Sequence, residues 1–189
     1  MKAAVFSCKG LGDGLIALVL SHNLRLNGWE VDTFHSSLSG LQSWFPGLPI
    51  KSFPPSLEKY DRFFIIYETS PWMQEILKEC RNRFWEKTTV LNPIATPNRD
   101  YPYWEHGKFN GKVPFAENLY QFCKAVLQLP NSTKENGIQA PDQIERDMAR
   151  VVIHPTSSRL GKNWTKQKYE ELSYRLKNAG FKPVFVLTE

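Results

Sequence analysis

The chain has 189 residues, of which 41% are hydrophobic and 13% aromatic. This composition suits one packed domain, or one domain and part of another, and excludes a disordered chain. The net charge of +5 comes from scattered residues, which favours anionic ligands and argues against a nucleic-acid-binding arm. Three isolated cysteines, and no apolar run of signal-peptide or membrane-spanning length, predict a cytoplasmic protein.

The N-terminal stretch predicts a βαβ unit. The pattern indicates strand, glycine-rich loop, helix and strand over residues 3–6, 10–14, 15–26 and 29–34. Asn27-Gly28 marks the end of the helix. Ligands of open α/β sheets bind at the carboxyl ends of the strands, where this loop lies. Asp13, set among the glycines of the loop, is therefore the first candidate for chemistry.

Two interpretations of Asp13 remain open at this stage. It is either a general base beside a bound hydroxyl or the N-cap of the following helix, which needs no further role. Gly12 and Gly14 flank Asp13 and allow a ligand to approach the backbone closely, so we expect them to contact an acceptor substrate.

A nicotinamide-binding site is a weaker alternative. The glycines nearly match the G-x-G-x-x-G dinucleotide motif, but Leu15 stands where the third glycine belongs. Asp32 is the candidate ribose ligand, although it lies within the predicted second strand rather than at its end.

The rest of the first domain, residues 1–130, predicts alternating helices and strands. We expect short helices at 38–44 and from Pro71 to about Cys80, strands at 50–53, 62–67 and 88–91, and a helix at 115–129. The continuous apolar run at 62–67 is typical of a parallel sheet that is buried on both faces.

Residues 92–112 predict a long loop rich in aromatic and basic residues. Long loops are often functional. We expect Arg99 and Lys108 to bind the acidic groups of an acceptor, the alternative being a surface loop with its aromatic side chains packed down.

A polar linker is predicted at 131–150, followed by a second βα unit. This unit has strands at 151–154 and 183–187 and a helix at 165–179 that ends at Gly180. Its first loop carries the candidate anion site, formed by Thr156, Ser157, Ser158 and Lys162, although a solvated loop is an equal alternative. The four histidines lack metal-ligand spacing and no D-x-D motif occurs, so no metal site is predicted.

Two strands and one helix do not complete a domain. Residues 151–189 therefore predict the beginning of an incomplete second domain, with an open sheet edge through which the protein self-associates. The alternative is that these elements add to the first sheet or to a partner.

Together, these motifs resemble glycosyltransferase family 9, the ADP-heptose:lipopolysaccharide heptosyltransferases. The resemblance lies in Gly-Leu-Gly-Asp at 10–13, in His-Pro-Thr-Ser-Ser at 154–158 and in Lys-Asn-Trp at 162–164. Tyr60-Asp61, which precedes the apolar strand, also fits. The resemblance implies a GT-B fold, with two Rossmann-like domains, of which this chain has the first and the initial βαβ unit of the second.

The resemblance also implies substrates and roles. The first domain would bind the lipid A core acceptor at the membrane surface, and the second would bind ADP-heptose. Asp13 matches the family's catalytic base, while Ser157, Ser158 and Lys162 match the loop that binds the donor phosphates. The family is inverting and needs neither metal nor cofactor, and the protein is expected in the cytoplasm or peripherally on the inner membrane.

The family's second domain continues well beyond the position of Glu189. A non-catalytic acceptor-binding remnant, or one half of a split enzyme, is therefore the alternative to an active glycosyltransferase. A nicotinamide-binding protein remains the third hypothesis.

Overall fold

The computed structural model describes residues 1–54, 56–91, 110, 112–144, 147–157 and 160–186. The chain forms two compact units, Met1–Pro141 and Asp142–Glu189. Both are built from parallel strands and helices, which confirms the predicted α/β class. In the described part of the chain, no helix is both long enough and apolar enough to cross a bilayer.

The first unit contains a five-stranded parallel sheet in the order β3-β2-β1-β4-β5. The strands are β1 (Lys2–Phe6), β2 (Glu30–Phe34), β3 (Ile50–Lys51), β4 (Arg62–Ile66) and β5 (Thr88–Leu91). The helices are α1 (Leu11–Leu26), α2 (Pro71–Arg83) and α3 (Phe115–Gln121), which continues as a π-helical turn at Phe122–Val126. Short 3₁₀-helices lie at Leu38–Trp44 and Trp85–Lys87. All the elements predicted for this unit are present, with ends shifted by a few residues.

The strand order reverses between β1 and β4. The chain runs from β1 outward through β2 and β3, and then returns to the other side of β1 as β4. In open α/β sheets, the crevice at the carboxyl ends of the two strands at such a reversal is the usual ligand site. The topology therefore predicts that the residues directly after β1 and β4 line the ligand site.

The sheet is covered on both faces. Ala3 and Val5 of β1 belong to the core cluster that α1 and α3 cover, whereas Ala4 and Phe6 belong to the cluster on the side of α2. All four residues are fully buried. Burial on both sides explains why the strands are apolar at consecutive positions rather than alternating ones.

Helix α1 begins four residues before its predicted start. Its N-cap is Gly10, in an extended conformation and without a side-chain cap, and Asp13 lies inside the first helical turn. The interpretation of Asp13 as the N-cap is therefore wrong. The amide of Gly14 donates to the carbonyl of Gly10 at 2.8 Å, so the glycines form the first turn of the helix instead of a separate loop.

Glycines end two of the helices, as predicted. Gly28 after α1 and Gly180 in the second unit have φ values of +81° and +86°. At the end of α1, the amide of Trp29 donates to the carbonyl of Leu24 at 3.1 Å and that of Gly28 donates to Arg25 at 2.9 Å. This is the Schellman arrangement, which needs a left-handed residue and turns the chain directly into β2.

The second unit has one helix and two paired strands. It contains β6 (Arg150–Ile153), a 3₁₀-turn at Leu160–Lys162, α4 (Lys166–Asn178) and β7 (Lys182–Phe185), with β6 and β7 parallel. Among its described apolar residues, Ile153 alone is buried. The large apolar residues exposed there are Ile144, Met148, Val152, Trp164, Tyr174, Phe181, Val184, Phe185 and Val186. The unit therefore presents apolar surface that a further layer would cover.

The segment after α3 is attached to α1. The side-chain amide of Asn23 donates to the carbonyl of Thr133 at 2.8 Å and accepts from its amide at 2.6 Å. Asn27, one turn later, bonds Asn131 in the same two ways. The first part of the predicted 131–150 linker therefore packs on the first unit, because two amide side chains of α1 satisfy its backbone.

Candidate functional site

Asp13 is presented at the carboxyl end of β1. Its side chain is exposed, and no described residue hydrogen-bonds to its carboxylate. An acidic residue in the first turn is also stabilised by the positive end of the helix dipole. The carboxylate is thus held on a fixed element with its oxygens open to a ligand, as a general base requires.

His35 connects the end of β2 to the turn that carries Asp13. The ring is buried, and its Nδ1 accepts the amides of Ser37 and Leu38 at 3.0 and 3.1 Å. A neutral ring that accepts at Nδ1 carries its proton on Nε2, which lies 3.3 Å from the carbonyl oxygen of Gly10. His35 therefore donates to the N-cap of α1 and fixes the start of the helix that presents Asp13.

Packing against His35 explains the glycine at position 14. A Cβ atom on Gly14 would lie 2.5 Å from His35 Nε2 and 2.9 Å from Leu38 Cδ1. Gly12 is exposed, and nothing lies within 4 Å of the corresponding position. The acceptor contacts expected of Gly12 and Gly14 remain a prediction.

We predict opposite effects of alanine at these two glycines. Gly14→Ala is expected to lower the free energy of unfolding by about 1–3 kcal/mol, because the added methyl group overpacks a fully occupied space. Gly12→Ala is the matched control and is expected to be neutral or stabilising by up to about 1 kcal/mol, as alanine is at an open helical position. Urea denaturation of both variants measures the difference. Equal stability would show that His35 does not constrain position 14.

Glu68 joins β4 to β1 at the strand-order reversal. One carboxylate oxygen accepts the backbone amide of Lys9 at 2.9 Å, and the other accepts the hydroxyl of Ser70 at 2.7 Å. Glu68 is not among the site residues that the sequence predicts. Its only sequence signal is that an acidic residue follows the buried strand β4 within two positions, which is the location at which ligand-binding residues of parallel sheets occur.

A pocket of about 340 Å³ opens beside Glu68. Its lining includes residues that follow β1, β3 and β4, together with the beginning of α2: Ser7, Cys8, Phe53, Glu68, Ser70 and Trp72. This volume is at the small end of the range for small-molecule sites. The pocket thus occupies the crevice that the topology identifies.

Cys8 lines the pocket and lies near the charges of both Glu68 and Asp13. Burial, together with the nearby charges of Glu68 and Asp13, raises the pKa of the Cys8 thiol to about 12. The group therefore stays a neutral thiol at physiological pH and is no nucleophile. The two carboxylates are near enough to act on one buried sulfur atom.

The candidate donor loop is described in part. Thr156 and Ser157 follow β6, and Lys162 ends the 3₁₀-turn with its side chain exposed and without an ion pair to any described residue. Ser158 lies outside the described residues, as do Arg99 and Lys108. The phosphate-binding and acceptor-binding roles of these residues remain predictions.

Asp32 has a structural role that removes it as a ribose ligand. Its carboxylate is almost fully buried, lies 2.6 Å from Lys51 Nζ, and accepts the hydroxyl of Tyr60 at 2.6 Å. The nicotinamide hypothesis thereby loses its candidate ribose contact. In the described part of the chain, no three His, Cys, Asp or Glu side chains gather as a metal-binding group.

The chain is similar in structure to two solved heptosyltransferases of Escherichia coli. It aligns with heptosyltransferase WaaC, solved with ADP, over 100% of this chain and 67% of that one, with a TM-score of 0.61 and 12% identity. It aligns with ADP-heptose lipopolysaccharide heptosyltransferase II over 98% of this chain and 64% of that one, with a TM-score of 0.60 and 16% identity. No protein-family model and no curated protein sequence matches the chain.

Proposed function

Given that the chain has the GT-B-like fold of the family 9 heptosyltransferases over its whole length, we propose that it is a glycosyltransferase of that type. It would transfer a heptose or a related sugar from an ADP-sugar to a lipopolysaccharide inner-core acceptor. The observation that carries the proposal is the position of Asp13, an exposed carboxylate without a described partner at the carboxyl end of β1.

The proposed reaction is a single displacement. The carboxylate of Asp13 takes the proton of an acceptor hydroxyl while that oxygen forms a bond to the anomeric carbon of the donor. The bond from this carbon to the ADP oxygen breaks, and ADP leaves with the electron pair. Lys162 and the backbone amides of residues 156–158 would stabilise the negative charge that develops on ADP. A single displacement inverts the anomeric configuration, and none of these steps uses a metal ion.

We place this reaction at the cytoplasmic face of the inner membrane, where a lipid A core acceptor would be accessible. Arg99 and Lys108 are the residues proposed to bind the acidic groups of the acceptor, since guanidinium and ammonium groups form charge-assisted hydrogen bonds to phosphate and carboxylate.

The second candidate is an acceptor-binding module without catalysis, either a remnant or one half of a split enzyme. Two facts favour it. The chain spans about two thirds of the length of the solved heptosyltransferases. Only one described apolar residue of the second unit, Ile153, is buried, so this unit by itself forms no closed core around a donor.

Titration calorimetry with two ligands tests the proposal against the nicotinamide hypothesis. We expect the full chain to bind the de-acylated inner-core oligosaccharide and to show no heat of binding with NAD. Saturable NAD binding without oligosaccharide binding would contradict the proposed function and restore the nicotinamide hypothesis.

We predict that ADP alone binds weakly and does not saturate at micromolar concentrations. The Lys162 side chain is exposed, and so is Trp164, which lies two residues before α4 and is 55% exposed. Exposed ion pairs contribute about 0–1 kcal/mol each, which does not hold a diphosphate tightly. Calorimetry measures the affinity, and light scattering on the same sample is expected to show association through the open edge of β7.

Val184→Lys provides the control, because a lysine on an edge strand opposes edge-to-edge pairing. It is expected to reduce association without changing ADP binding. Micromolar ADP binding by a monomer would mean that the second unit encloses a complete donor site.

A further inference from the structure

We propose that the pocket beside Glu68 is a subsite for a neutral pyranose ring, bound through its hydroxyl groups and one apolar face. The assignment rests on the proposed function in that the ring would be part of the acceptor sugar. It is carried by four features of the pocket: an unpartnered buried hydroxyl, a fixed carboxylate, two aromatic rings and the balance of charge in the lining.

The first feature is Ser7, which lines the pocket directly after β1. Its residue is 1% exposed, and its hydroxyl has no hydrogen-bond partner among the described residues. A buried hydroxyl without a partner is unfavourable, and such groups in folded proteins commonly serve a ligand or a bound water. Ser7 supplies one donor and two acceptor positions to a ligand hydroxyl.

The second feature is the carboxylate of Glu68. Each of its oxygens already accepts one hydrogen bond, from the Lys9 amide and from the Ser70 hydroxyl. An ionised carboxylate offers about four acceptor positions, so one remains on each oxygen. Two free acceptor positions at the spacing of a carboxylate match two neighbouring hydroxyl groups of a sugar, and both existing bonds hold the group in place for them.

The third feature is a pair of aromatic rings. Phe53 and Trp72 meet edge to face with ring centroids 6.4 Å apart, and Trp72 in turn lies 6.1 Å from Phe6 of the core. Phe53 remains 67% exposed, so its apolar surface is available to a ligand. An aromatic ring beside a few fixed polar groups is the usual composition of a small-ligand site, and one face of a pyranose ring carries only C–H groups that such a ring covers.

The fourth feature is charge. Among the described residues that line the pocket, Lys9 is the only cation and Glu68 the only anion, while Ser7, Ser36, Ser52 and Ser70 are neutral hydroxyls. A phosphate or carboxylate ligand would meet the Glu68 charge with a single lysine to oppose it. The lining therefore favours a neutral polyol over an acidic sugar.

The location is suitable for an acceptor. Ser7 directly follows β1, and Asp13 lies in the first turn of α1, the next element of the chain. A ring bound by Ser7 and Glu68 would therefore lie at the same end of the sheet as Asp13.

Saturation-transfer difference NMR on the full chain, without any donor, tests the assignment. Methyl α-D-mannopyranoside is the neutral probe and 3-deoxy-D-manno-octulosonic acid the acidic one. We expect saturable, millimolar binding of the mannoside and markedly weaker binding of the acid. Ser7→Ala is expected to weaken mannoside binding about threefold to tenfold through the lost hydrogen bond. Phe53→Ala is expected to weaken it about fivefold through the lost aromatic contact.

Two control variants remove the same side-chain groups at positions outside the pocket. Ser43→Ala and Phe181→Ala remove an exposed hydroxyl and an exposed ring outside the pocket, and both are expected to leave the affinity unchanged. Ser7→Ala removes a hydroxyl without a described partner and is expected to fold with unchanged stability, which thermal denaturation checks.

The assignment is overturned if the mannoside does not bind, if Ser7→Ala and Phe53→Ala bind it as the unchanged protein does, or if the acidic sugar binds more tightly. Because no donor is present, these outcomes do not depend on sugar transfer. If the pocket binds the mannoside but the protein transfers no sugar, this inference stands and the proposed function is rejected. If the protein transfers sugar but the pocket does not bind the mannoside, the proposed function stands and this inference is rejected.

Discussion

Asp13→Asn is expected to lower the rate of sugar transfer by about 10²-fold or more, the usual contribution of a general base. The amide cannot take the proton from the acceptor hydroxyl, although it occupies the same volume. Stability is expected to fall by less than about 1 kcal/mol, because the exposed Asp13 carboxylate has no described hydrogen-bond partner and loses only its interaction with the helix dipole. The rate is measured as ADP release at saturating acceptor.

Asp142→Asn is the matched control, since Asp142 is likewise exposed but lies at the start of the second unit. It is expected to keep the full rate. If Asp13→Asn also transfers sugar at a nearly unchanged rate, Asp13 is not the base, and its place in the first turn reflects the helix dipole alone.

The second large effect concerns stability. Asp32→Ala is expected to lower the free energy of unfolding by about 2 kcal/mol, because it leaves the buried Tyr60 hydroxyl without an acceptor and removes the carboxylate that pairs with the half-exposed Lys51. The Tyr60 hydroxyl, on a side chain that is 1% exposed, would lose the acceptor 2.6 Å away. Tyr60→Phe is expected to cost only about 1 kcal/mol, since Asp32 keeps Lys51.

The effect of Asp32 is expected to depend on pH. Burial alone would raise the pKa of Asp32, but hydrogen bonds from Lys51 and Tyr60, with the charge of Lys51, outweigh burial and lower it. A lowered carboxyl pKa contributes stability above the unfolded value of about 4, and this contribution is lost as the pH falls through the folded value. Urea denaturation should therefore show the full difference between the protein and Asp32→Ala at pH 7 and a smaller one below pH 4. A difference that grows on acidification would contradict this account.

Local sequence patterns were sufficient to predict most of the fold. The strands β1 and β4 are continuous apolar runs, and the ends of α1 and α4 are marked by Gly28 and Gly180, whose positive φ few other residues adopt. These signals lie within a few consecutive residues. They therefore do not depend on how distant parts of the chain meet.

The start of α1 could not be predicted in the same way. Glycine rules place Gly12 and Gly14 outside a helix, but Gly14 is required by the packing of His35, which comes from the end of β2. Tertiary contact overrides intrinsic propensity here. Because the helix begins earlier than those rules allow, Asp13 is a first-turn residue rather than a cap.

Glu68 was missed for a related reason. Its bond to Lys9, and the pocket that it shares with Ser7, bring together segments that are far apart in sequence. Only the strand order, which places β4 beside β1, reveals that these residues are neighbours. The contacts of Asn23 and Asn27 with the segment after α3 could not be predicted either, because the local sequence pattern makes both asparagines ordinary polar residues of a helix.

The mass of the acceptor after incubation with ADP-heptose tests the central claim most directly. The full chain is incubated with millimolar ADP-heptose, the de-acylated inner-core oligosaccharide and EDTA. The mass of the oligosaccharide is then measured by mass spectrometry. We expect a gain of one heptose residue, with the inverted anomeric configuration by NMR, and no gain with Asp13→Asn. An oligosaccharide of unchanged mass with the unsubstituted chain at saturating donor would contradict the assignment of this chain as a glycosyltransferase.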